Sequence, residues 1–145
     1  MARDRRPAVN LNRVIAAPRE AVFRAWTDPD ELRRWWGPPG FSCPSAEIDL
    51  RVGGRYRIAM QPPEGDVFYL SGTFKVIEPP SRLVYSWAWE GADSPAETLV
   101  AVEFRTRGQA TEIVLSHTLF ADAAVRDRHA QGWDGCLGRL AGLFS

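Results

Sequence analysis

Six consecutive runs of alternating apolar and polar residues, followed by one long run of helical period, constrain this chain's fold more than any other feature. Ala46, Ile48 and Leu50 alternate with Glu47, Asp49 and Arg51. Beyond a hairpin turn at Gly53-Gly54, Tyr56, Ile58 and Met60 alternate with Arg55 and Arg57. Four more runs follow at about 67–78, 82–90, 97–107 and 110–119. They are separated by Glu78-Pro79-Pro80-Ser81, by Gly91-Ala92-Asp93-Ser94-Pro95 and by Arg107-Gly108. A period of two marks strands with one buried face, and connections this short join antiparallel neighbours. The period then changes. Over 122–143, at about 100° per residue, Val125, His129, Trp133, Cys136, Leu140 and Leu143 fall on one stripe, which predicts a long helix.

Ahead of these runs, 9–16 reads as a first strand. Pro18 opens a short helix with Val22, Phe23 and Trp26 on one stripe. Asp28-Pro29-Asp30-Glu31 is a helix start, with an N-cap, proline at the first position and Glu31 where a capping box places it. The second helix it predicts carries Leu32, Trp35 and Trp36 and ends at Gly37. Gly37-Pro38-Pro39-Gly40 can be neither helix nor central strand. An antiparallel sheet with its helices segregated to one side is α+β. With no repeat and no linker, 1–145 reads as one domain, in which 1–8, with its Arg3-Asp4-Arg5-Arg6 cluster, is a flexible tail.

Several function classes are excluded. Eighteen basic and eighteen acidic residues give no net charge, so no global field draws nucleic acid or an anionic membrane. No apolar run approaches the roughly 20 residues that cross a bilayer. Cys43 and Cys136 form no C-x-x-C pair and no secretory segment precedes them, which points to a reducing cytoplasm. The two histidines and two cysteines lie scattered without ligand spacing, so neither metal nor other cofactor is expected. No Gly-x-Ser-x-Gly elbow is present for a Ser-His-Asp arrangement.

Five stretches carry a resemblance to known proteins. They are Ala17-Pro18-x-x-Ala21-Val22-Phe23-x-Ala25-Trp26-Thr27-Asp28-Pro29, then Leu32-x-x-Trp35-Trp36-Gly37-Pro38, then Asp49-Leu50-Arg51-x-Gly53-Gly54-x-Tyr56-Arg57, then Glu78-Pro79-Pro80-x-Arg82-Leu83-Val84, and finally His129-x-x-Gly132-Trp133. In this order they resemble the START-related, Bet v 1-like helix-grip superfamily (SRPBCC). The branch is similar to the C-terminal domain of the activator of the heat-shock-protein-90 ATPase. The resemblance implies a curved, seven-stranded antiparallel sheet gripping the long C-terminal helix, with a cavity between them. The superfamily includes lipid and hormone carriers, polyketide cyclases and aromatases, and co-chaperone domains, so the resemblance leaves the chemistry open.

Parity assigns side chains to the concave face independently of any family. Leu83, Tyr85, Trp87 and Trp89 share one face, as do Val100, Val102 and Phe104, and Ile113, Leu115, His117 and Leu119. Tyr56, Ile58, Met60, Leu70 and Phe74 join them, while Tyr69 points outward and Asp49, Arg51, Arg55 and Arg57 form cross-strand ion pairs on the convex face. Trp26 is assigned to helix packing. Six tryptophans in 145 residues, shared among loop, strand and helices, suit a pocket for a planar or aromatic ligand. The candidate ligand contacts are Trp36, Phe41, Tyr56, Met60, Trp87, Trp89, His117, His129 and Trp133. His117 and Tyr85 are the candidates for acid–base work, although no carboxylate is placed beside the histidines. Structurally, His117 would bond a backbone carbonyl or a tyrosine, and His129 would sit at the helix–sheet seam. Gly132, Gly135, Gly138 and Gly142 form a second stripe on the last helix, read either as a soft lid or as the contact surface of a homodimer. Three functions follow: a carrier or sensor of a small hydrophobic or aromatic molecule; a cyclase, aromatase or hydrolase; and a co-chaperone of a heat-shock ATPase.

Overall fold

The structure, a computed structural model, describes residues 6–91 and 97–144. Most of the expected tail and the turn after Gly91 lie outside the described residues. The elements are β1 (Val9–Ile15), α1 (Arg19–Thr27), α2 (Pro29–Leu32), β2 (Ala46–Ile48), β3 (Arg55–Met60), β4 (Phe68–Glu78), β5 (Arg82–Trp89), β6 (Thr98–Arg107), β7 (Ala110–Thr118) and α3 (Ala123–Leu143). One seven-stranded sheet in the order β1-β7-β6-β5-β4-β3-β2 contains all of these strands, and every pairing is antiparallel. Strands β2 to β7 are a meander, and β1 closes on β7. With α3 against the sheet, this is the helix-grip α+β architecture.

The local signals explain where the helices begin. The Asp28 carboxylate accepts from the Asp30 and Glu31 backbone N–H groups at 2.9 and 3.2 Å, satisfying two donors that a helix start leaves open. Asp122 does the same for α3 through the Val125 N–H at 2.9 Å. Where α2 ends departs from the pattern. It stops at Leu32, not Gly37, and the chain continues in turns whose N–H groups reach back three residues, Arg34 to Glu31 and Trp35 to Leu32. Neighbours on a helix point about 100° apart, yet Trp35 and Trp36 are both fully buried. Unwinding the backbone lets both indoles enter the core. Trp35 then donates its Nε1–H to the Ala25 carbonyl at 2.9 Å.

Two strand ends also differ. The β2–β3 ladder closes at Ile48 opposite Tyr56, so the connection runs from Asp49 to Gly54 and leaves Leu50 exposed instead of on the inner face. Leu119 lies past the end of β7 with φ 74°, a left-handed conformation that turns the chain toward the α3 cap and removes it from the strand's parity. On the convex face Arg57 forms a two-pronged pair with Glu90 and lies 3.7 Å over the outward Tyr69 ring. Arg51 instead pairs with Asp49 inside the loop, at 2.7 Å, not across strands. Exposed pairs of this kind contribute at most about 1 kcal/mol.

The concave face is the core, formed by the inward residues of β3 to β7 with α1, α2 and α3. Gly72 on β4 shows how tightly it is built. The Tyr56 hydroxyl on β3 crosses β4 at this residue to donate to the Ser86 carbonyl on β5, at 2.5 Å. A Cβ at Gly72 would run into that carbonyl oxygen and the Tyr56 ring. The α3 backbone runs closest to β1, at one edge of the sheet. Over the strands further across, sheet and helix diverge, and only large side chains bridge them.

Candidate functional site

The divergence leaves a cavity of about 400 Å³ between sheet, α3 and the Pro/Gly loop, a size typical of small-molecule sites. Its floor consists of Trp36, Met60, Trp87, Trp133 and Cys136, all buried. Around the rim stand the less buried Phe41, Phe68, Trp89, Arg128 and His129. The indoles of the floor touch one another: Trp133 lies 5.5 Å from Trp36 and 5.3 Å from Trp87, ring centre to ring centre, and 6.0 Å from Trp26 beneath it. Trp26 therefore packs into the cluster as well as its own helix, and its Nε1–H donates to the Tyr85 hydroxyl at 3.2 Å.

Both histidines are held by indoles. Trp133 Nε1 donates to His117 Nδ1 at 3.0 Å, so that nitrogen carries no proton. The proton of a neutral ring is then on Nε2, 2.7 Å from Thr98 Oγ1, which in turn donates to the Trp87 carbonyl at 3.2 Å. His129 repeats the arrangement: Nε2 accepts from Trp89 Nε1 at 3.0 Å, and Nδ1 donates to the Val125 carbonyl at 2.9 Å. Each ring uses its lone pair to accept an indole N–H, and protonation would break that bond. Burial lowers the affinity of both for a proton, pushing His117 down to about 3, with the neighbouring His129 adding to the effect. His117 thus bonds a tryptophan and a threonine, not a backbone carbonyl or a tyrosine. Burial likewise pushes the Cys136 thiol up to about 11 and raises the Tyr85 hydroxyl, so both stay protonated.

A cation on α3 fixes the loop over the cavity. Arg139 Nη1 points at the carbonyl oxygens of Trp36, Gly37, Pro38 and Phe41, at 3.1, 2.9, 3.4 and 3.3 Å. The loop comes so close that a Cβ at Gly135 would stand 2.8 Å from Pro39 Cδ. The close approach sought in the glycine stripe is made here, within the chain itself. Gly132 differs, since a Cβ there meets nothing within 4 Å and the residue lines the cavity.

Residues 16–145 match the family described as Activator of Hsp90 ATPase homolog 1-like protein. The chain belongs to that family. Among curated proteins none matches. Solved structures of similar fold include a protein from Chromobacterium violaceum, 28% identical with TM-score 0.87, the match covering 94% of this chain and 96% of that one. The AHSA1 protein from Silicibacter pomeroyi is 29% identical with TM-score 0.84 over 94% and 96%. A protein of the dynemicin biosynthetic locus is 22% identical with TM-score 0.76 over 93% and 46%, a likeness of fold alone.

In this AHSA1-like chain the structure brings Trp36, Phe41, Met60, Trp87, Trp89, His129 and Trp133 to one cavity. Tyr56 and Tyr85 lie apart from it, beside a gap of only about 20 Å³ behind Trp36. His117 is fully buried beneath Trp87 and Trp133 and does not line the space. Sequence reasoning missed Arg128, Arg139 and Phe68. Arg128 precedes a predicted inward residue on α3, which was the available signal; nothing local marks Arg139 as a clamp on a loop about a hundred residues earlier. No described helix is long and apolar enough to cross a membrane. Among the described residues no group of three or more His, Cys, Asp or Glu is placed to hold a metal.

Proposed function

We propose that this AHSA1-like chain binds a small, mostly apolar, aromatic-containing molecule in the cavity between sheet and α3. The observation that carries this reading is a void of about 400 Å³ floored by three indoles drawn from the loop, the sheet and the helix. A chain that only needed a core would close such a space, because interiors pack at a density of about 0.74. Trp36, Phe41, Met60, Trp87, Trp89 and Trp133 are the proposed contacts, with the family membership and fold in support. A cyclase reading would need a basic lone pair facing the void, and both histidines spend theirs on indoles. The test titrates polyketide-like, flavonoid and fatty-acid compounds while following tryptophan fluorescence and melting temperature. Saturable quenching with a rise of several degrees is expected, because saturation at 100 times Kd adds about 2.7 kcal/mol. Gly132→Trp, which fills the void, should abolish the response. A flat response across the panel overturns the reading.

A further inference from the structure

The cavity is lined mostly by apolar groups. Trp36 Nε1 and Trp87 Nε1 are buried hydrogen-bond donors with no partner, in side chains only 2% and 6% exposed. Edge-on ring contacts with Trp133 and Trp89 surround them, and a ring face gives an N–H only a fraction of what an oxygen gives. Among the described residues Arg128 is the only charged one in the lining, and its side chain makes no hydrogen bond or ion pair with them. Its helical neighbours three and four residues away are Val125, Gln131, Ala124 and Gly132, none of them acidic. Two sets of acceptors near the cavity have partners. His129 Nε2 is held by Trp89, and the loop carbonyls share the two N–H groups of Arg139 Nη1. Among the described residues the cavity therefore carries one positive charge at its rim and no negative one.

We infer that the ligand is an aromatic carboxylic acid, bound with its rings on the indole floor and its carboxylate on Arg128 at the rim. The inference rests on the reading of the cavity as a ligand site and narrows it. A cationic molecule would meet like charge at Arg128, whereas a carboxylate replaces water on a guanidinium with charge-assisted hydrogen bonds.

The experiment compares molecules that share a body and differ in the head: naphthoate, naphthalenemethanol and naphthalenemethylamine, titrated calorimetrically near pH 7 against the protein and Arg128→Gln. Naphthoate should bind about tenfold tighter than the alcohol, and the amine weakest. Arg128→Gln should bring naphthoate to the affinity of the alcohol and leave the alcohol within about twofold. Added salt should narrow the gap, because the pair is at the rim. If the alcohol binds as well as the acid, or if Arg128→Gln leaves naphthoate binding unchanged, the inference is wrong and the pocket reading stands. If no member of the series binds, the alcohol included, both fall together.

Discussion

At the scale of single residues, the glycines of α3 separate cleanly by what surrounds them. Gly132 faces open space, whereas Gly135 lies against Pro39. Glycine inside a helix costs about 1 kcal/mol relative to alanine. Gly132→Ala should therefore stabilise the fold by about that amount, while Gly135→Ala should destabilise it, because its methyl must displace a loop that Arg139 holds down. Urea denaturation of the two variants checks both signs, and a gain at Gly135 would show that the loop yields freely. The identity of these residues was plain in the sequence, but not their different roles. A helical wheel places both on one stripe and carries no information about which segment lies across it.

At the scale of elements, the loop from Trp36 to Phe41 depends on a single guanidinium of α3. Arg139→Met keeps much of the stem and removes the donors. Hydrogen exchange at Gly37 and Phe41 should accelerate while the amides of β5 and β6 keep their protection. Equal acceleration in loop and sheet would mean that the arginine supports the whole fold instead. Strands and their faces were legible because alternation reports burial directly, and Tyr56, Trp87 and Val102 turn inward as parity requires. The second helix was misread because a periodic pattern assumes regular backbone. Two adjacent indoles that must both be buried force the chain out of it. The partnerships of Trp133 with His117 and Trp89 with His129 join residues 16 and 40 positions apart, and no periodicity links them.

At the scale of the whole molecule, the two neutral imidazoles make stability depend on pH. Unfolded, each binds a proton below its ordinary value near 6.5, whereas the native His117 does so only near 3 and native His129 is also lowered. Their contribution is thus fully present above 6.5 and is lost as pH falls toward 3. His117 alone contributes a slope of up to about 1.4 kcal/mol per pH unit. Urea midpoints at about pH 7.5 and about pH 5 should differ accordingly, before the carboxylates paired with Arg57 and Arg107 begin to titrate. No loss of stability between those values would mean that the indole–imidazole bonds do not persist in solution. The pairing of indoles with acceptors has another consequence. Four of the six indole N–H groups are engaged, by a phenol, a carbonyl and two imidazoles, and those of Trp36 and Trp87 are not. In a nitrogen–proton NMR spectrum each indole has its own resonance, so the molecule carries its own labels. The two unengaged signals, from floor residues of the cavity, should shift when it fills, while that of Trp35, bonded to Ala25, serves as the internal reference.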